Sequence, residues 1–230
     1  MASLTGKTII VTGGAGALGA GVVSTLLADG AQVVIADRNE ALARATAGTV
    51  TVGVDLLDEE SVLGMAKEAL AISGRIDGLV ALAGGFFGDT PLVDTPVDAL
   101  RQQLELNVVT AFTAIQAVLP HMIRAESGSI VAVSSRPALR PVAGTVAYGA
   151  AKLAVAKMIA SVDEECRMSG VRANAIAPSV IDTPANRRSM PNADFTRWVQ
   201  PAAIGGVIRF LMSDESLPVS GAVIPVYGRA

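Results

Sequence analysis

Short apolar runs alternate with longer helical patterns along the whole chain, and this alternation constrains the fold more than any other feature. Runs rich in Val, Ile and Ala predict strands at 8–12, 32–37, 49–54, 78–83, 129–134, 171–176 and 222–226. Repeated strand–helix–strand units are typical of a parallel sheet with helices on both faces. We therefore expect a single α/β domain over residues 1–230, with a doubly wound parallel sheet of about seven strands.

The composition excludes several classes of function. The net charge is −3 and aromatic residues make up only 3% of the chain, which disfavours a nucleic-acid surface. Cys166 is the only cysteine and His121 the only histidine, so we expect no disulfide and no metal site. The sequence also lacks a signal-peptide pattern and an uninterrupted apolar run of about 20 residues. We expect a cytoplasmic protein with no membrane or nucleic-acid partner.

A glycine-rich turn, residues 12–19, separates the first predicted strand from the first predicted helix. Glycines allow a tight turn and let backbone N–H groups approach a pyrophosphate at a helix N-terminus. Strand, glycine turn and helix in this order predict a dinucleotide site. The turn contributes Gly13, Gly14, Ala15, Gly16, Ala17 and Leu18 to the predicted cofactor residues.

Asp37 closes the second predicted strand, 18 positions after Gly19. A carboxylate at this place accepts hydrogen bonds from the adenine-ribose hydroxyls and repels a 2′-phosphate. It favours NAD(H) as the cofactor. Arg38 is a candidate partner for such a phosphate, so NADP(H) stays open as the alternative.

Tyr148 and Lys152 are four residues apart on a predicted helix, about 145–169, so their side chains share one face. A neighbouring ammonium favours the phenolate, and we expect it to lower the pKa of Tyr148. Tyr148 is then a general acid or base for a carbonyl/alcohol pair. Ser134 and Ser135 end the preceding strand, where a hydroxyl can hold the substrate oxygen beside the phenol.

Together, the glycine turn, the serine after the fifth strand and Tyr148-Gly149-Ala150-Ala151-Lys152 resemble the short-chain dehydrogenases/reductases, over nearly the whole chain. The resemblance implies a Rossmann-like fold and an oxidoreductase. In that family the serine lies 13 positions before the tyrosine, which selects Ser135 over Ser134. It also implies that Lys152 holds the nicotinamide ribose, and that Asn107 anchors a water that relays protons to Lys152.

The resemblance implies further cofactor residues and also shows departures. Asp55, with Leu56, matches the adenine-contacting position, and Ile181 and Thr183 match positions that contact the carboxamide and phosphates. The other implied cofactor residues are Ala83, Gly84, Gly85 and Pro178. Ala17 replaces a usual glycine, Ala81-Leu82-Ala83-Gly84 replaces a usual Asn-Asn-Ala-Gly, and Ser179 replaces a glycine. None of these changes affects the proton chemistry.

Residues 178–200 show no clear period, and we expect a substrate lid at about 183–200. Residues 182–198 resemble the corresponding segment of quinonoid dihydropteridine reductases, which lack the catalytic serine. This chain keeps Ser135, so a carbonyl/alcohol substrate and a quinonoid dihydropterin both stay open. Arg187 and Arg188 are candidates for attracting an anionic substrate or the cofactor phosphates, or are solvated lid charges.

Two readings from other classes remain. The chain can be a non-catalytic dinucleotide-binding sensor on the same fold, although the presence of Asn107, Ser135, Tyr148 and Lys152 favours an enzyme. It can also be an interaction protein, because the helices at about 98–125 and 145–169 are rich in Ala. Enzymes of the family are commonly tetramers, so we expect a homotetramer or homodimer through these helices, besides a small-molecule substrate.

Overall fold

A computed structural model describes residues 4–42 and 45–229. Within them, a seven-stranded sheet has the order β3-β2-β1-β4-β5-β6-β7, and every neighbouring pair is parallel. The strands are Thr8–Thr12 (β1), Gln32–Asp37 (β2), Val50–Gly53 (β3), Gly78–Ala81 (β4), Gly128–Val133 (β5), Val171–Pro178 (β6) and Val223–Val226 (β7).

Helices occupy the connections between these strands. They are Ala17–Ala28 (α1), Asn39–Leu42 (α2), Glu59–Ser73 (α3), Val97–Leu104 (α4), Thr110–Arg124 (α5), Arg136–Leu139 (α6), Val146–Cys166 (α7), Pro184–Ser189 (α8) and Pro201–Met212 (α9). A π-helical turn, Glu105–Val109, joins α4 to α5 without a break. The predicted fold is confirmed, and the strand boundaries differ from the predicted ones by no more than two residues.

Two apolar cores lie on opposite faces of the sheet, because alternate strand residues point to opposite sides. Ile10 and Leu79 belong to the core that α3, α5 and α7 cover. Ile9 and Val80, each next in sequence to one of these, belong to the core that α1 and α9 cover. Both cores therefore fix the strand register, since a slip of one residue would exchange them.

The long helical stretch Val97–Arg124 is, among the described residues, the one helix long and apolar enough to cross a membrane, with a mean hydropathy of 1.5. Half of its most apolar window is buried inside the protein. Ala114 and Val118 of α5 are fully buried against the sheet. Burial of this kind is the pattern of a core helix.

The chain leaves β1 toward β2 and returns through β4 on its other side, so the strand order reverses between β1 and β4. In open parallel sheets, ligands bind beyond the carboxyl ends of the strands at such a reversal. The segments after the two strands meet there, because a Cβ added at Gly13 would lie 2.9 Å from the backbone nitrogen of Ala83. This edge of the sheet is where the predicted site residues come together.

Candidate active site

A cleft of about 610 Å³ opens at this edge of the sheet. Ten of the predicted cofactor residues line it: Gly13, Gly16, Ala17, Leu18, Asp37, Arg38, Asp55, Leu56, Ala83 and Gly84. Gly14 and Ala15 lie behind the cleft wall and are buried. Pro178, Ile181 and Thr183 lie at the end of β6 and the start of the predicted lid. The structure thus divides these predicted cofactor residues between the cleft and the segment at the end of β6.

The glycine turn has the shape that a pyrophosphate requires. Gly13 has a φ of +68°, which L side chains rarely adopt. A Cβ added at Gly19 would lie 2.5 Å from the carbonyl oxygens of Gly13 and Gly14, so the glycine lets α1 pack directly on the turn. Gly16 is the N-cap of α1 and offers no side-chain acceptor to the first N–H groups. These groups fit a phosphate, which the positive end of the helix dipole also favours.

Two backbone N–H groups hold the Asp37 carboxylate at the end of β2. Ala15 N donates to Oδ2 at 3.2 Å, and Arg38 N donates to Oδ1 at 2.9 Å. The carboxylate therefore lies beside the glycine turn, where it could accept hydrogen bonds from ribose hydroxyls. Further along the cleft, the Asp55 carboxylate accepts from Leu57 N at 2.9 Å. The residues on this side of the cleft fit an adenosine group.

Ser135, Tyr148 and Lys152 meet beyond the carboxyl end of β5. The Ser134 hydroxyl donates to the Lys152 carbonyl at 2.7 Å, so this serine joins α7 to the strand. The next serine, Ser135, is 7% exposed, and its side chain lies close enough to the Tyr148 hydroxyl to act on the phenol pKa. Of the two serines, the structure brings Ser135 to the phenol.

Burial dominates the protonation equilibria of this cluster. It raises the pKa of Tyr148, while the nearby Ser135 side chain acts in the opposite direction. It also lowers the pKa of Lys152 to about 8. The Lys152 ammonium donates to the Val133 carbonyl at 2.9 Å and lies 6.0 Å from the Tyr148 ring centroid. The predicted lowering of the Tyr148 pKa is therefore wrong for this structure, because desolvation of the phenol is the largest influence on its pKa.

Asn107 lies in the π-helical turn, a feature that is frequent at functional sites. Its side chain is 1% exposed, accepts from Gly85 N at 3.1 Å and donates to Gly85 O at 3.0 Å. A Cβ added at Gly84 would lie 2.6 Å from the Asn107 Oδ1 and 3.3 Å from the Lys152 Nζ. Asn107 thus fixes the segment after β4 against the lysine, and Gly84, with a φ of +152°, leaves room for both side chains.

Gln103 supports Asn107, and the sequence analysis did not identify it. Its Oε1 accepts from the Asn107 amide at 2.7 Å, and its Nε2 donates to the Phe87 carbonyl at 2.7 Å. Gln103 is fully buried, so both contacts form away from solvent. A polar residue four positions before Asn107 on the buried face of the helix was the available signal.

Phe86 forms a wall of the site next to the phenol. Its ring meets the Tyr148 ring edge-on, with centroids 4.9 Å apart and planes at 81°. The Phe86 side chain is 55% exposed, so most of its apolar area is free for a substrate to cover. Phe87 is also exposed, and its carbonyl is the group that Gln103 holds.

The predicted lid contains α8 and has an ionic anchor at its base. Arg187 donates to both carboxylate oxygens of Asp182, at 2.6 and 2.7 Å, and Gln200 donates to one of them at 2.6 Å. These bonds lower the pKa of Asp182 to about 2. The Arg187 guanidinium also lies 4.8 Å from the Phe195 ring centroid. Arg187 therefore holds the lid together, whereas Arg188 is exposed.

Comparison with known proteins identifies relatives of the whole chain. A family model described as short chain dehydrogenase matches residues 7–194. The L-fucose dehydrogenase of Bos taurus is 34% identical and covers 97% of this chain and 92% of its own length. The cis-4-hydroxycyclohexanecarboxylate dehydrogenase of Sinomonas cyclohexanicum is 35% identical, covering 96% and 95%. A crystal structure of NAD⁺-bound xylitol dehydrogenase superposes with a TM-score of 0.90 at 26% identity, covering 98% and 99%.

Replacing Lys152 by Met is expected to stabilise the protein at pH 7. The pKa of about 8 in the folded protein lies below the ordinary lysine value of 10.5, so burying the charged ammonium costs stability below pH 8. The cost falls as the pH rises from 8 to 10.5. Loss of the hydrogen bond to the Val133 carbonyl costs about 1 kcal/mol. We therefore expect Lys152→Met to raise the free energy of unfolding by about 2 kcal/mol at pH 7 and by almost nothing at pH 9.5.

Urea unfolding of both proteins at the two pH values measures this difference. Lys157 lies on the exposed face of the same helix, so Lys157→Met is the matched control and should show no pH-dependent gain. A gain for Lys152→Met that is equal at pH 7 and pH 9.5 would show that the lysine does not pay a desolvation penalty in the fold.

Proposed function

The chain belongs to the short-chain dehydrogenase family, and we propose that it transfers a hydride between NAD(H) and a small carbonyl or alcohol substrate. The observation that carries this proposal is the proximity of the Ser135 side chain to the Tyr148 hydroxyl, beside the buried Lys152. In this arrangement the Ser135 hydroxyl can donate a hydrogen bond to a substrate oxygen, and the Tyr148 hydroxyl can exchange a proton with that oxygen. The adjacent cleft offers the cofactor a glycine turn and a carboxylate.

Each side chain then has a defined role. Tyr148 gives a proton to the substrate oxygen during reduction and removes it during oxidation, while Ser135 holds that oxygen in place. Lys152 keeps a positive charge near the developing oxyanion and reaches the ribose side of the cleft past Gly84. Asn107 fixes the backbone between them. When bound, the nicotinamide supplies or accepts the hydride.

The carbonyl/alcohol substrate has two supports. Ser135 is present and in contact with the phenol, as carbonyl chemistry requires. The names of the bovine and Sinomonas relatives both describe dehydrogenases of hydroxylated compounds. A quinonoid dihydropterin is the second candidate, because residues 182–198 resemble the lid of enzymes that reduce it. The exposed Phe86 ring also suits a flat substrate.

NADH oxidation by the purified protein tests the proposed function, with a panel of cyclic and acyclic ketones and a quinonoid dihydropterin as acceptors. We expect ketone reduction, a loss of at least about 100-fold in kcat for Tyr148→Phe, and a similar loss for Ser135→Ala. Dihydropterin reduction that survives Ser135→Ala would favour the second candidate. NADH binding without turnover of any acceptor would contradict both and leave the dinucleotide-binding sensor.

We expect NAD(H) to be preferred because the Asp37 carboxylate lies where a 2′-phosphate would be repelled. Asp37→Ala should raise the ratio of kcat/KM for NADPH over NADH by about 10-fold or more. Asp58→Ala is the control: this aspartate caps α3 by accepting from Glu60 N at 3.1 Å and does not line the cleft. An unchanged ratio in Asp37→Ala would mean that another residue selects the cofactor.

Exposed apolar side chains on the two long helices support assembly with a second copy of the chain. Phe112 on α5 is 50% exposed, and Leu153 on α7 is 51% exposed. We propose that these helices form a subunit interface. Phe112→Glu should lower the mass measured by light scattering, whereas Met168→Glu, at a residue 93% exposed just after α7, should leave it unchanged. A wild-type mass of 23.4 kDa would exclude the interface.

A further inference from the structure

Arg136 directly follows Ser135 and is the first residue of α6, whose N-cap is Ser135. Its Nε is buried and has no hydrogen-bond partner among the described residues. A buried N–H group without an acceptor costs about 1–3 kcal/mol, and more when it carries charge. Because the Nε is closed to solvent, a ligand can reach only the two terminal nitrogens of this guanidinium, which form no ion pair with the described residues.

A second guanidinium lies beside the first. Arg136 and Arg140 approach the ring of Tyr227, with their Cζ atoms 5.7 and 5.5 Å from its centroid. Neither Arg136 nor Arg140 forms an ion pair within residues 4–42 and 45–229. Two cations packed on one aromatic ring repel each other, so this corner of the site attracts an anion.

The contrast with Arg187 shows what is missing. Arg187 has its carboxylate inside the protein, since Asp182 accepts two parallel N–H groups from it. No side-chain carboxylate of the described residues takes this place for Arg136. A guanidinium presents a planar fork that matches a carboxylate. The unpaired fork therefore fits a carboxylate brought by the ligand.

The position of α6 connects this fork to the reacting atoms. A Cβ added at Gly149, next to Tyr148, would lie 3.2 Å from the Pro137 carbonyl oxygen, so α6 packs directly on the start of α7. The backbone of Arg136 therefore lies between Ser135 and the contact of α6 with α7, and its side chain extends to the Tyr227 ring. Phe86 offers an apolar surface against the same phenol.

From these contacts we propose that Arg136 binds a carboxylate of the substrate, so that the substrates are hydroxy acids and the corresponding oxo acids with an apolar frame. The inference rests on the proposed function for the reaction itself. Ser135 and Tyr148 hold the reacting oxygen, Phe86 contacts the apolar frame, and Arg136 fixes the acid group. Arg140 adds positive charge from the exposed side.

Binding tests the inference independently of turnover. Calorimetry on the NADH-saturated protein should show cyclohexanecarboxylate binding at least about 10-fold more tightly than its methyl ester. Arg136→Gln should weaken acid binding roughly 10- to 100-fold and leave ester binding unchanged, with Arg136→Lys intermediate because it keeps the charge and loses the fork. Lys67→Gln, which removes an exposed lysine of α3 outside the cleft, is the control for net charge and should change binding of neither ligand.

Turnover gives the second measurement. The ratio of kcat/KM for 4-oxocyclohexanecarboxylate over its methyl ester should exceed about 10 in the wild type and fall toward one in Arg136→Gln. The ester serves as the reference within each variant, so a general loss of activity lowers both kcat/KM values and cancels from the ratio. Equal kcat/KM values for the acid and the ester in the wild-type protein would overturn the inference without any variant.

The two proposals fail separately. Reduction of ketones with no preference for the acid leaves the oxidoreductase proposal intact and rejects the carboxylate site. Binding of the acid that depends on Arg136, without reduction of any ketone, supports the carboxylate site and rejects the proposed reaction. Acid binding that Lys67→Gln weakens as much as Arg136→Gln shows general charge attraction, and it also rejects the site.

Discussion

The attachment of α7 to the end of β5 through Lys152 is the interaction on which the geometry of the site depends. The lysine makes two contacts with the strand: its ammonium donates to the Val133 carbonyl, and its own carbonyl accepts from the Ser134 hydroxyl. These contacts fix both the rotation and the height of the helix relative to the sheet. Tyr148, one turn earlier on the same face, then meets Ser135.

Much of this arrangement follows from local pattern. The alternation of strand and helix residues predicts the sheet, because parallel strands need crossover helices. The four-residue spacing of Tyr148 and Lys152 predicts a shared helix face whatever the rest of the fold does. The glycine turn and Asp37 likewise depend on one strand–turn–helix unit and the next strand. The structure places these residues in one cleft and one cluster beside it.

The parts that the sequence did not predict depend on burial and on which side chains pair with each other. Whether Tyr148 titrates above or below its usual pKa depends on how much of it is buried, which pattern alone does not reveal. Arg187 looked like a candidate for substrate or phosphate binding, yet its partner Asp182 lies only five residues earlier and accepts from two of its nitrogens. Gln103 has no motif of its own and matters only because Asn107 needs a second support.

The segment after β4, where the chain departs from the family pattern, is held by two neighbouring elements. Leu82 replaces an asparagine there, and its backbone N–H donates to the Thr12 carbonyl at 3.2 Å. Asn107 holds the next residues by pairing with both backbone groups of Gly85. Because these bonds use the backbone of the segment, they do not depend on the side chain at Leu82. The segment beside Lys152 is therefore held without a polar side chain at that position.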